Sequence, residues 1–203
     1  MNTFLFKNDI QLQKAFSYIS TQNFSSYIKK ISALIRNNIL DEHNLDKVLN
    51  EYDIKRITEI KEEILDMLLA YINFILSDNF ITDIEAKNFK QLKRFFGVRE
   101  GDFYKHRYRE IENILDGQFK LIYSDNKIDT DEALHKVGLQ ELFDLGYDQF
   151  LQLINKEVRA ALERGANPGE LDSIFIATYQ NKKISLQGKR FFLKFGLKKL
   201  RNR

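Results

Sequence analysis

Two acidic turns hold the side chains of this sequence best suited to chemistry. The first reads Ser77-Asp78-Asn79-Phe80-Ile81-Thr82-Asp83-Ile84-Glu85, and the second Ser124-Asp125-Asn126-Lys127-Ile128-Asp129-Thr130-Asp131-Glu132. Carboxylate oxygens are the ligands that hard divalent cations prefer. The shared pattern Asp-Asn-x-Ile-x-x-x-Glu matches the second half of a calcium-binding EF-hand loop. Asn79 and Asn126 stand where glycine makes the sharp turn, and Glu85 and Glu132 stand where the closing glutamate belongs. The first half fails. Phe74, Leu76, Leu121 and Tyr123 occupy the places that need oxygen ligands, so a conventional EF-hand is not expected.

The same residues suit helix starts. Thr82 with Glu85, and Asp129 with Glu132, have the spacing of a capping box. Asp83 and Asp131 then fall in the first helical turn, where they complement the helix dipole. The two readings differ in what they ask of the fold. If the segments pack with pseudo-twofold symmetry, then Asp78, Asp83, Glu85, Asp125, Asp129, Asp131 and Glu132 share one end. Calcium or another divalent cation would relieve their repulsion there.

The turns recur at an offset of 47 residues, and the offset persists through Leu92/Leu139, Phe96/Phe143 and Phe103/Phe150. A constant offset predicts a duplicated two-helix unit. Ile57, Ile60, Ile64, Leu68, Ile72 and Ile75 recur at helical spacing, with Asp53 as the expected N-cap. A second helix runs from Thr82 to Phe96 and stops at Gly97. A third runs from Asp102 to Tyr123, with a break expected at Asp116-Gly117. The repeat ends near Gly146, a helix follows from Asp148 to Arg164, and Asp9, Ser25 and Asp41 start shorter helices. The expected class is all-α, a bundle of about eight helices. Residues 55–165 form its core, 1–54 are flanking helices, and 166–203 are C-terminal helices with a basic tail.

An apolar helix, an Asp-Asn-x-Ile-x-x-x-Glu-Ala turn and a helix ending in a Leu-x-x-x-Phe segment resemble the TerB-like (tellurite-resistance protein B) family over residues 55–165. The resemblance implies a helical bundle of two related halves and an acidic surface for calcium or another divalent cation. It also implies a stress-response or defence module that engages partners near a membrane, not an enzyme. The acidic positions of the family fall on Asp78, Glu85, Asp125 and Glu132. Asp144-Leu145-Gly146 stands where the first copy has Gly97, so a shifted helix end is expected there.

Composition narrows the remaining classes. The 203 residues are 43% hydrophobic, with one proline and no cysteine. Disulfides, zinc–thiolate sites and thiol catalysis are excluded, and a cytoplasmic location is favoured. Residues 1–14 show no leader pattern. The apolar stretch from Ile64 to Leu76 is interrupted by Asp66 and Asn73, too polar to span a bilayer. A net charge of +3 gives no global attraction to nucleic acid, which is not an expected partner. His43, His106 and His135 offer no helical metal pair, and no nucleophile motif is present.

Beyond Asp172 no carboxylate side chain occurs, while nine Lys or Arg follow. Read as a helix from about Ser185 to Leu200, this segment has Leu186, Leu193, Leu197 and Leu200 on one stripe, Arg190, Lys194, Lys198 and Arg201 on a basic stripe beside it, and Phe191, Phe192 and Phe195 largely opposite the leucines. That pattern suits an anionic membrane surface at the inner face, or the acidic turns of a second copy. The function expected from sequence is thus a non-enzymatic module that binds a divalent cation, scaffolds protein partners, or both. The alternatives are a divalent-metal hydrolase or nuclease using the acidic cluster, and a metal-free interaction or immunity-type protein.

Overall fold

The computed structural model describes residues 9–167, Leu171, and the backbone of 175–180, 183–188, 191–193 and 197–199. Residues 9–167 form an all-α helical bundle in class. Its helices are α1 (Ile10–Thr21), α2 (Ser26–Arg36), α3 (Glu42–Glu51), α4 (Lys61–Ile75), α5 (Asp83–Phe95), α6 (Asp102–His106), α7 (Tyr108–Ile122), α8 (Thr130–Leu142) and α9 (Tyr147–Glu163). The chain divides into two compact units, residues 1–107 and 108–203. That boundary falls inside the core read from sequence.

In unit 1, α1 packs on α2 and α4, α2 on α3, and α4 on α5. Each helix is amphipathic, so its apolar stripe is hidden only by its neighbours. Ile64, Leu68, Ile72 and Ile75 bury the predicted face of α4. A row of rings runs through this core: Phe16 to Tyr71 at 5.4 Å, Tyr71 to Phe89 at 6.4 Å, and Phe89 to Phe103 at 5.9 Å between centroids. In unit 2, α7 packs on α8 and α9. Ile111, Leu115, Phe119 and Ile122 form its buried stripe.

The offset seen in sequence holds in the elements. The bounds of α4 and α5, shifted by 47, are those of α7 and α8. Helix closure follows suit. Gly97 has φ 66°, and Val98 N–H donates to the Lys93 carbonyl at 2.9 Å. Asp144 has φ 51°, and Leu145 N–H donates to the Gln140 carbonyl at 3.1 Å. Both are Schellman closures. The expected shift of the second helix end is therefore corrected, because aspartate takes the left-handed conformation that glycine takes in the first copy.

Other boundaries differ from expectation. Asp53 does not cap α4. It has φ 55° and closes α3, with Ile54 N–H on the Leu49 carbonyl, and a 3-10 turn at Ile57–Ile60 leads into α4. The break before α7 falls at Arg107, where the backbone leaves the helix and the guanidinium reaches back to α4. Gly117 stays helical inside α7. A mid-helix glycine costs only about 1 kcal/mol, and buried Leu115 and Phe119 flank it.

The C-terminal expectation is corrected most. In place of a helix from Ser185, strands β1 (Phe175–Gln180) and β2 (Lys183–Gly188) pair antiparallel from Phe175↔Gly188 to Gln180↔Lys183. Strands β3 (Phe191–Leu193) and β4 (Leu197–Lys199) pair with Leu193 opposite Leu197. Phe175, Ile176, Thr178 and Tyr179 are strand formers, and they make up most of β1. An apolar pair four residues apart reads as one helical stripe, yet it fits the two arms of a tight hairpin equally well. Phe191 and Lys198 therefore sit on strands. Arg190, Lys194, Phe195 and Arg201 lie outside the described residues.

Candidate functional site

Both acidic turns are built alike, one in each unit. At the first, Asp78 Oδ1 accepts from Phe80 N–H at 3.1 Å, and Asn79 turns the chain with φ 61°. Thr82 Oγ1 accepts from Glu85 N–H at 3.2 Å, while Glu85 Oε2 accepts from Thr82 N–H at 2.9 Å and from Thr82 Oγ1 at 2.7 Å. At the second, Asp125 Oδ1 accepts from Lys127 N–H at 3.0 Å, and Asn126 has φ 63°. Asp129 Oδ1 accepts from Glu132 N–H at 2.8 Å, and Glu132 Oε2 accepts from Asp129 N–H at 3.0 Å. These are reciprocal capping boxes. Asp83 and Asp131 are exposed in the first turns of α5 and α8. Among the described residues, no three His, Asp or Glu side chains are grouped to hold a metal ion.

The second turn already has a cation beside it. Arg164, following α9, donates from Nη2 to the Tyr123 carbonyl at 2.9 Å and from Nε to Asn126 Oδ1 at 3.3 Å. Burial pushes the Glu132 carboxyl above the usual range. The charges of Asp129 and Asp125 act the same way, against the Asp129 amide. Apolar side chains flank both turns. Phe80 is 56% exposed and Ile84 63%, and Leu121 and Leu134 are exposed in unit 2.

The sequence reading missed a polar corner of unit 2. His135 Nε2 lies 2.8 Å from Gln118 Oε1, joining α8 to α7. Next to it Lys136 is buried, with Nζ donating to the Tyr123 hydroxyl at 3.5 Å and lying over the Tyr123 ring. Burial pushes the Lys136 amine down to about 7 and the Tyr123 hydroxyl up. One signal was available. At the 47-residue offset Lys136 stands where Phe89 stands, so a cation occupies a core position of the pattern.

Unit 1 carries an ionic cluster that was also missed. Arg107 donates from Nε to Asp66 Oδ1 at 2.5 Å, from Nη2 to Asp66 Oδ2 at 3.0 Å, and from Nη1 to Glu62. His106 Nδ1 lies 2.7 Å from Glu62 Oε1, and Lys61 Nζ 2.7 Å from Asp102 Oδ1. Its charges pair off around the start of α4, which is how a structural staple is built. No helix among the described residues is long and apolar enough to cross a membrane. No family model matches the chain, and no curated protein or solved structure matches it either.

Proposed function

We propose that the protein is a non-enzymatic helical interaction module of TerB-like build, a duplicated two-helix unit that scaffolds protein partners. The observation that carries this reading is the fate of the closing glutamates. Glu85 and Glu132 each spend a carboxylate oxygen on the cap of their own helix. The exposed groups beside the first turn are then Asp78, Phe80, Asp83 and Ile84, a mixed apolar and acidic surface. A partner offering a basic side chain next to an apolar pocket fits it. Replacing Phe80 and Ile84 with serine tests the reading. Proximity labelling in the native host should lose a defined set of partners while the melting temperature holds. An unchanged partner set would sink the proposal.

A second reading keeps a divalent cation at the second turn. It is favoured by the Glu132 carboxyl, which is raised first by burial and then by the charges of Asp129 and Asp125. Arg164 beside Asn126 weakens the need for a metal there.

A further inference from the structure

The two copies of the duplicated unit carry opposite outer faces. At helical spacing, the side of α5 turned away from its core holds Ile84, Lys87, Lys90, Gln91 and Arg94. The 47-residue offset puts Asp131, Leu134, Val137, Gly138 and Glu141 at the same places on α8. Lys87, Lys90 and Arg94 are exposed. Leu134 is 64% exposed in the place of Lys87, and Val137 is half-buried in the place of Lys90. Leu139 and Leu142 bury the opposite side of α8. The helix is thus apolar on both faces, the pattern of a helix covered on both.

We propose that a second copy of this chain covers this face, with α5 of one molecule lying along the outer face of α8 of another. Lysine and arginine have apolar stems that lie over residues such as Leu134 and Val137 while their charges stay at the edge. Asp131 and Glu141, both exposed, stand one at each end of the apolar patch to meet those charges. No other pairing of the two faces is complementary. In either direction, α8 on α8 sets carboxylate against carboxylate, and α5 on α5 sets cation against cation, which is repulsive across an interface.

Unlike faces make a heterologous contact, so each molecule offers one basic face and one apolar face. Stable complexes bury about 1,200–2,000 Å² in total, and one face of a 13-residue helix supplies less. Association is therefore weak, concentration-dependent and lowered by salt.

Sedimentation equilibrium of the full chain from micromolar to millimolar concentration tests this. The parent should show a mass that rises with concentration. Leu134→Lys restores the residue type of the first copy at an exposed position. The melting temperature should hold while the association constant falls by about tenfold or more. Mixing identifies the faces. Chains with Lys87→Glu, Lys90→Glu and Arg94→Glu, and chains with Asp131→Lys and Glu141→Lys, should each stay monomeric alone and associate when mixed. A parent that is monomeric at millimolar concentration overturns the proposal. Association that survives Leu134→Lys, or a mixture no heavier than its parts, overturns it too. A monomeric parent leaves the partner reading of the first turn standing, since that is scored by partner loss on replacing Phe80 and Ile84.

Discussion

Arg107 grips Asp66 with one edge of its guanidinium, Nε to Oδ1 at 2.5 Å and Nη2 to Oδ2 at 3.0 Å. The same side chain also donates to the carbonyls of His106 and Glu62. It thereby ties the end of unit 1 to the first turns of α4. A lysine has one charged centre and cannot reproduce the fork. Arg107→Lys should lower the stability of unit 1 by about 1–2 kcal/mol, measured by denaturant unfolding. A loss equal to that of Arg107→Ala would show that geometry, and not charge alone, holds the staple.

Acid should act on the same cluster. Burial pushes the Asp102 carboxyl up, but the Lys61 ammonium and the Arg99 amide outweigh it and hold the group low. Glu62 is likewise raised by burial and lowered further by Arg107 and His106. A carboxyl depressed in the folded state stabilises above its unfolded value and loses that contribution as pH falls through the folded value. The ordinary values are 3.8 and 4.5. Unit 1 should hold its stability at pH 5 and lose it below about pH 4, as circular dichroism can follow. Asp102→Asn should remove part of that acid sensitivity.

The left-handed closures separate strain from side-chain need. Asn38 closes α2 with φ 55°, and its Oδ1 is buried without a hydrogen bond. Asn38→Gly relieves both and should raise stability by about 1 kcal/mol. Gly97 has φ 66° with open space around it, so Gly97→Ala meets backbone strain alone. It should cost about 1–2 kcal/mol. Thermal melts of the two variants should move in opposite directions.

Capping and metal binding make different demands on the closing glutamates. Glutamine serves a capping box as glutamate does. Glu85→Gln with Glu132→Gln should therefore leave stability nearly unchanged, whereas alanine at both positions should cost about 1 kcal/mol per helix. Loss of the anions at the helix starts accounts for a few tenths in the glutamine pair.

Titration with Ca²⁺, Mg²⁺ or Mn²⁺ should leave the melting temperature flat up to millimolar concentration. A ligand at 100 times its dissociation constant would add about 2.7 kcal/mol. A metal-dependent rise that the glutamine pair abolishes would reinstate the cation at the turns.

The sequence by itself determined the local elements. Thr82 with Glu85 and Asp129 with Glu132 specify helix starts through bonds that span three residues, and both boxes form. Asn79 and Asn126 tolerate positive φ, and both adopt it. The starts of α5 and α8 were legible because each opens on a capping box, 47 residues apart, whereas the starts of α4 and α7 were not. Tertiary structure decided what depends on partners far along the chain. Arg107 ends one unit because Asp66, on another helix, takes its guanidinium. Leu193 and Leu197 face each other across a hairpin, since their spacing suits helix and hairpin alike. Lys136 is buried with its amine against Tyr123, the residue that follows α7. Desolvation comes from atoms distant in sequence, so neither that burial nor its effect on the amine can be read from the residue's own neighbours.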